Sequence, residues 1–484
     1  MTIEIIGSGQ AGSPLATALA KAGRRTLLIE KEHVGGCCIN EGCTPTKTMI
    51  ASGRTAYLSK RGFEFGVVSK VEPLVSLPKV RERKRAIVES FRSGSENRLK
   101  VAGVDVMMGK ASFVGEMILN VDMSDGKEEQ YTASEIFINV GERPAIPDMS
   151  GVEETMKDTP GRILDSTSIQ ELDEIPKTLI VIGGGPVGLE FAQLFKRLGS
   201  QVHIMQRSKQ LLPREDPEIV QTLFDILIEE GLDISCGVII KSMAYHPHSD
   251  LPIQITTKSS SNESDSYIAG THILLATGRR PNTDLLNLAA TNVTTNARGY
   301  IQTSPSLETT YPGIYALGDC TGAPAFTHIS YDDFRIIRDN LNLDPKPSPS
   351  AFDKRINHHT TDPRKKLIPY VIFTDPQLAH VGLHLHDIPL SARADIKIAK
   401  MPMAYVARAL EIDEARGMMK AVVNGVTGEI LGFSCLSTEG GELMSIVQCA
   451  MMGGVKWWDL REAIWAHPTW AECLNNLWGF LEDV

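Results

Sequence analysis

Two stretches of the chain share one pattern of apolar and polar positions. Residues 3–30, IEIIGSGQAGSPLATALAKAGRRTLLIE, begin as an apolar run, break at Gly7, Gly9 and Gly12, and continue as an alanine-rich segment with helical spacing. A turn at Gly23 leads into a second apolar run that ends at Glu30. Residues 178–206, TLIVIGGGPVGLEFAQLFKRLGSQVHIMQ, repeat the order with Gly183, Gly185 and Gly188, a turn at Gly199 and a second run ending at Gln206. From first glycine to strand end the interval is 23 positions in both copies. Each copy predicts strand, tight turn, helix and strand. A single G-x-G-x-x-G is weak evidence, whereas two copies in the same context at the same interval are specific. The first glycine permits the turn, the second lets backbone approach a pyrophosphate, and the third lets helix pack on strand. The chain is therefore expected to hold two dinucleotides.

The strand ends separate the two ligands. Glu30 is suited to accept hydrogen bonds from a ribose 2′-hydroxyl, which predicts FAD at the first site. The second copy has uncharged Gln206 followed by Arg207 and Ser208. A carboxylate there would repel a 2′-phosphate and a guanidinium would pair with it, which predicts NADPH over NADH.

Composition narrows the class. The 484 residues are 42% hydrophobic and 22% charged with a net charge of −10, and no basic stripe favours nucleic acid. No apolar run reaches the roughly 18 residues of a membrane span. The N-terminal MTIEIIGSGQAG enters a strand pattern without a basic leader, so a cytoplasmic location is expected. Eight cysteines are too few for a secreted disulfide scaffold. Cys236, Cys320, Cys435, Cys449 and Cys473 are scattered and read as small buried hydrophobes. Cys37, Cys38 and Cys43 are clustered in GGCCINEGCTPTK, residues 35–47, without a partner CxxC or HxxxH, so no metal site is expected and redox chemistry is. Pro45 and a capping Thr44 predict a helix starting here, which puts Cys43 at the positive end of a helix dipole and favours its thiolate.

The stretch GGCCINEGCTPTK resembles the active-site motif of the class I pyridine nucleotide-disulfide oxidoreductases, the FAD flavoprotein disulfide reductases. Further segments are similar to that family in the same order. ATGRRPN at 276–282 and GIYALGDC at 313–320 resemble its flavin-domain return. IPYVIFTDPQLAHVGL at 368–383 and GMMKAVVNGVTGEILGF at 417–433 resemble its interface domain, and HPTWAE at 467–472 its acid/base signature. The resemblance implies an α/β fold with two Rossmann-like domains and an α+β dimerisation domain. The expected division is FAD-binding at 1–150 and 270–345, NAD(P)H-binding at 151–269, and dimerisation at 365–484.

The resemblance also implies roles. Cys38 would be the interchange thiol and Cys43 the flavin-proximal thiol that makes the charge-transfer contact. Lys47 would lie by the flavin, paired with Glu190. Glu30 and Asp319 would hold FAD hydroxyls, and Gly278 would belong to the cofactor site. His467, oriented by Glu472, would act on the dithiol of the other subunit of an obligate homodimer. Histidine suits that task, since a thiol entering or leaving a disulfide needs a proton carrier with a pKa near 7. Pro468 suggests a helix start that would keep Glu472 near the ring.

The departures matter. Cys37 stands where the family usually has threonine, and is read as a threonine-sized replacement with a third redox thiol as the alternative. Glu41, between the active cysteines, could discourage anionic substrates, raise a thiol pKa or face solvent. Cys473, beside Glu472, is read as packing. GQAGSP, GCTPTKT, PAFTHISYDDFR and QLLPREDPEI look closest to the mercuric-reductase-like branch. A GMTCxxC domain and a terminal cysteine pair are missing, so dedicated mercury detoxification is not expected. Lipoamide dehydrogenase activity is disfavoured by Gln206.

The expected activity is transfer of electrons from NADPH through FAD and a Cys38–Cys43 disulfide to a small disulfide or a metal ion such as Cu(II) or Hg(II). The alternatives are dithiol oxidation, of lipoamide type or in biosynthesis, and a flavin redox sensor without turnover. Residues 246–267 read as a hairpin and 343–366 as a long connection, with His358-His359 a solvated pair. Trp457-Trp458 read as packing.

Overall fold

The computed structural model describes residues 2–68, 71, 74–259, 265–344 and 359–484. The chain divides into two compact units, Met1–Thr48 with Arg81–Ala145 and Gly278–Lys365, and Met49–Val80 with Ile146–Thr277 and Lys366–Val484.

In the first unit a seven-stranded sheet runs in the order Ile314–Ala316, Glu135–Ile138, Thr2–Ile6, Arg25–Glu30, Asp105–Gly115, Ile118–Met123, Glu128–Thr132. The strands from Ile314–Ala316 through Asp105–Gly115 pair in parallel, and the last three form an antiparallel meander. Parallel strands covered on both faces read as near-continuous apolar runs, and residues 3–6 and 26–29 read so but for Glu4 and Thr26. Ile3, Ile5, Leu28 and Phe137 pack on one face with Leu15 and Leu19 of the helix Gly12–Lys21 and Phe334 and Ile337 of Thr327–Asn340. Ile6, Leu27, Ile29 and Ile138 pack on the other with Phe113, Leu119 and Val121.

The second unit repeats the plan in a five-stranded parallel sheet, ordered Asp233–Cys236, Gln201–Gln206, Thr178–Ile182, His272–Leu275, Ile163–Leu164. The helix Pro186–Leu198 follows its glycine turn, with Pro186 at the first helical position. A three-stranded antiparallel sheet, Val238–Tyr245, Ile253–Ser259 and Asp265–Gly270, includes the expected hairpin; its tip, 260–264, lies outside the described residues. The same unit carries a six-stranded antiparallel sheet, Tyr370–Ile372, Gln377–Gly382, Ile430–Ser437, Met418–Asn424, Ile396–Pro402 and Leu481–Asp483, with the helix Gly440–Gly453. Of the expected long connection, 345–358 and thus His358 lie outside the described residues; His359 is exposed beside Asn340. Trp457 packs on the core of this sheet, and the Trp458 ring lies against Gly428. Among the described residues no helix is long and apolar enough to cross a membrane.

Candidate active site

Both glycine turns are built by exclusion. A methyl on Gly7 would lie 2.3 Å from the Asn139 carbonyl oxygen, and one on Gly12 would lie 2.1 Å from that of Gly7. The second copy repeats the contacts: Gly183 to the Ala276 carbonyl oxygen at 2.3 Å, Gly188 to that of Gly183 at 2.0 Å. Any side chain would push strand from helix, so first and third glycines are packing requirements. The middle glycines differ between the copies. Gly185 has open space at its missing side chain, and Gly9 faces the Asn139 side chain.

The strand ends make one shared contact with side chains of different charge. The Glu30 carboxylate is buried, 7% exposed, and accepts from the Ser8 amide at 3.0 Å, the Ser8 hydroxyl at 2.6 Å and the Glu32 amide at 3.0 Å. Gln206 makes the equivalent contact, its side-chain oxygen accepting from the Gly184 amide at 3.1 Å while its nitrogen donates to the Gln210 carbonyl. Arg207, one residue on, is exposed.

The Asp319 carboxyl is raised above the usual carboxylate range by burial, with the Arg279 charge and the Ser330 hydroxyl at 3.4 Å opposing. A desolvated carboxylate near a glycine turn fits ligand hydroxyls, which replace the hydrogen bonds that burial removes. Gly278, at φ 116°, is open at its missing side chain and accepts from the Ala145 amide through its carbonyl. On these observations the residues present fit two dinucleotides.

Cys37 and Cys38 lie in a short helix, Gly36–Asn40, and Cys43 is the first residue of the helix Cys43–Lys60. The helix thus starts two residues earlier than a Thr44 cap and a first helical Pro45 imply. Thr44 is inside it, and the Gly42 carbonyl takes the first helical bond, from the Thr46 amide at 3.1 Å. Cys43 keeps the place at the positive helix end that the dipole argument requires. The loop folds back on itself because the Glu41 and Gly42 amides both donate to the Cys37 carbonyl, at 2.9 and 2.7 Å.

The turn brings the two active cysteines together. Cys38 and Cys43 are thiols joined by a hydrogen bond, and that bond is the first cause, burial the second, of a Cys38 pKa well above the ordinary thiol range. A raised Cys38 pKa fits Cys38 as the S–H donor in that bond and Cys43 as its acceptor. The Thr327 hydroxyl touches both sulfurs, donating to Cys38 at 3.0 Å and lying 3.4 Å from Cys43.

Cys37 is held apart chemically. Burial pushes its thiol up to about 11, against the Arg279 charge, with Glu41 adding to the rise. The Arg279 guanidinium donates to the Cys37 sulfur at 3.5 Å and to the Glu142 carbonyl at 2.8 Å. Tyr300 in turn donates to the Glu142 carboxylate at 2.6 Å. A thiol this high is neutral at pH 7, as suits a threonine-sized replacement.

Lys47 lies one helical turn beyond Cys43, in the first unit. Glu190 belongs to the second, 5% exposed, where its carboxylate accepts from the Phe373 amide at 2.8 Å. His467 and Glu472 come together in the second unit, the ring Nδ1 lying 2.9 Å from both carboxylate oxygens. No helix begins at Pro468. Residues 467–472 are irregular, the next helix is Cys473–Asn476, and Glu472 is placed by its amide donating to the Thr469 hydroxyl at 3.3 Å. With Nδ1 occupied, Nε2 is the nitrogen left to exchange a proton, on a ring 66% exposed. Cys473 is buried against Met419. Cys320 and Cys435 are buried as expected, Cys236 is half-buried, and Cys449 departs from expectation by lying exposed on its helix.

Thr327, Asn139, Arg279 and Glu142 escaped the sequence reading as site residues. Thr327 lies inside the quoted PAFTHISYDDFR and Arg279 inside ATGRRPN, but no spacing rule ties residues some 240 to 290 positions away to the cysteines.

Comparison with known proteins agrees in family. Residues 1–333 match the family described as pyridine nucleotide-disulphide oxidoreductase, and residues 368–477 match its dimerisation domain. The chain is 34% identical over 481 residues to the probable pyridine nucleotide-disulfide oxidoreductase RclA of Escherichia coli, covering 99% of this chain and 98% of that protein. It is 31% identical to a mercuric reductase of Staphylococcus aureus, over 97% of this chain and 80% of that one. The solved structure of the Cu(II) complex of the HOCl-induced flavoprotein disulfide reductase RclA from Escherichia coli is similar with a TM-score of 0.85. Its sequence is 33% identical, over 99% of this chain and 98% of that one.

Proposed function

The chain belongs to the pyridine nucleotide-disulphide oxidoreductase family, and from that premise we propose that it passes electrons from NADPH to the Cys38–Cys43 pair and on to a small disulfide or an oxidised metal ion. It is an oxidoreductase with FAD and NAD(P)H as cofactors. The carrying observation is the sulfur pair, hydrogen-bonded to one another and sharing the Thr327 hydroxyl, in the unit that holds the first glycine turn.

Bound FAD supplies the two-electron relay between nicotinamide and sulfur. The work of this chain is to hold the ligands and move the protons. Residues 1–150 and 270–345 serve the flavin, with Gly7, Gly9, Gly12, Glu30, Asp319 and Gly278 as its contacts and Lys47 beside its ring, paired with Glu190. Residues 151–269 serve NADPH through Gly183, Gly185, Gly188 and Arg207. Residues 365–484 form the dimer. Cys38 attacks a substrate disulfide, one substrate sulfur leaves as a thiol, and Cys43 then displaces the other as the Cys38–Cys43 disulfide closes. His467 of the partner subunit supplies the leaving proton through Nε2, held in the right tautomer by Glu472. One NADPH and one proton thus convert one disulfide to two thiols. With copper, one NADPH reduces two Cu(II) to Cu(I) and releases a proton. The Cu(II) complex of a similar flavoprotein supports the metal acceptor, and the raised Cys38 pKa supports its role as the thiol that waits for substrate.

Anaerobic titration of the yellow protein with NADPH tests the reading. A long-wavelength absorbance is expected near the two-electron level. Cys43→Ser removes it, and Cys38→Ser shows it before any reductant is added. Variants that both keep wild-type spectra sink the assignment. Turnover with glutathione disulfide, lipoamide, Cu(II) and Hg(II) then identifies the acceptor.

A further inference from the structure

The two glycine turns share the packing of their first and third glycines and differ at the side chain behind the first. In each, the strand on the far side of the first strand ends in a residue whose carbonyl oxygen lies 2.3 Å from where a methyl on the first glycine would be. That residue is Asn139 in the first unit and Ala276 in the second. Their backbones are equivalent, the Asn139 amide donating to the Ile6 carbonyl at 2.7 Å and the Ala276 amide to the Ile182 carbonyl at 2.9 Å. The turn itself therefore needs only a methyl here, and the asparagine amide serves something the second turn lacks.

What it serves is visible in its hydrogen bonds. The Asn139 side-chain oxygen accepts from the Gly12 amide at 2.9 Å, at the start of the helix Gly12–Lys21. Its nitrogen donates to the Leu317 carbonyl at 2.9 Å. An N–H on one side and a C=O on the other leave one orientation of the amide, since only that one satisfies both. Leu317 opens the turn Gly318–Thr321, which presents Asp319. A methyl on Gly318 would fall 2.8 Å from the Asn139 nitrogen and 2.9 Å from the Ser330 hydroxyl, so the turn is packed onto the amide. Its other side is fixed by Asp333, which accepts from the Gly318 amide at 2.7 Å and is held by Arg364 at 2.7 Å. Asn139 is itself 7% exposed, so each of its bonds replaces one that water could otherwise make.

We propose that Asn139 is a positioning residue for the flavin nucleotide, its side-chain amide bolting the phosphate-facing turn at Gly12 to the Asp319 turn so that both ends of one dinucleotide meet a preset frame. The second module carries alanine at the equivalent position. The inference rests on reading the first module as the FAD site.

Asn139→Ala gives the first turn the residue the second one already has, so the glycine packing is retained. FAD affinity of the apoprotein, read by quenching of flavin fluorescence, is expected to fall about tenfold, the loss of two buried hydrogen bonds. NADPH binding, read by its own fluorescence on the same samples, stays within twofold of wild type. Asn139→Asp keeps the shape and the bond from Gly12, cannot donate to Leu317, and sets a charge beside the pyrophosphate. Its loss of FAD affinity exceeds that of alanine and deepens as ionic strength is lowered. Alanine and aspartate variants that bind FAD within twofold of wild type overturn the proposal. Equal weakening of FAD and NADPH also overturns it, since that reports general loosening. A wild-type apoprotein that takes up no FAD overturns the flavin reading itself, a result distinct from the other two.

Discussion

The two dinucleotide modules make a controlled comparison inside one chain. Strand, glycine turn, helix and strand recur with the same 23-residue interval, and the third strand pairs in the same register, Ile6 with Ile138 in one and Ile182 with Leu275 in the other. Even the strand-end side chains make the same contact, to the amide that follows the first glycine, at 3.0 and 3.1 Å. Among the side chains that differ are Glu4 against Ile180, Glu30 against Gln206 and Asn139 against Ala276. Glycine spacing sets the backbone, and what each module holds is decided by side chains the backbone does not need. Changing them should move ligand preference or stability without changing the fold.

Glu4 is the largest such difference. It is 0% exposed in the middle of an apolar strand, neither carboxylate oxygen has a hydrogen-bond partner among the described residues, and burial raises its pKa to about 7. For a carboxyl raised from 4.5 to about 7 on folding, the folded state holds the proton more tightly than the unfolded one. Stability therefore falls as pH rises from about 4.5 to about 7 and levels off above, by on the order of 3 kcal/mol. Glu4→Ile, which copies Ile180, should remove that slope. Its unfolding midpoint should exceed wild type by far more at pH 8 than at pH 5. Parallel curves for the two proteins would mean that Glu4 has a partner or water in solution.

The strand-end difference comes next. Arg207→Glu gives the second module an acid near the place where the first has one. The KM for NADPH should rise about thirtyfold while that for NADH falls, because a guanidinium–phosphate pair is exchanged for a repulsion. FAD content should not change. An unchanged ratio of NADPH to NADH efficiency would show that Arg207 faces only solvent.

How much of this was readable from the chain depends on the range of the interaction. Both turns, the acid at Glu30 and the neutral Gln206 were legible because glycine spacing and strand ends are local. Cys38 and Cys43 were legible as a pair, five positions apart across a glycine turn. The helix start was misread by two residues, since Gly42 rather than Thr44 supplies the first carbonyl. The helix expected at Pro468 is absent, yet Glu472 still reaches His467, because a loop bond from its amide to Thr469 does the same work. Thr327 and Asn139 were illegible as partners of the site, since Cys38 and Thr327 are 289 positions apart and only the paired sheet strands bring such segments together. Glu4 was passed over as one polar letter in an apolar run, and its cost appears only once burial is known.

The smallest expected effect concerns what the first module carries and the second does not, the dithiol under Thr327. The threonine hydroxyl donates to Cys38 and thereby favours its thiolate, against the Cys43 bond and burial that disfavour it. Thr327→Val keeps the volume and removes the hydroxyl. A lost hydrogen bond to sulfur is worth about 1 kcal/mol, so the pH midpoint for iodoacetamide alkylation of Cys38 in the reduced enzyme should rise by about half a pH unit to one. Thr327→Ser should restore it, because serine returns the donor without the methyl. Cys37 supplies the internal contrast. Its thiol lies by Arg279 and not by Thr327, so its alkylation should remain slow and unchanged in both variants. A valine variant that alkylates with the wild-type profile would show that the hydroxyl packs against the sulfurs without setting their charge, and would shift that role to the Cys43 bond alone.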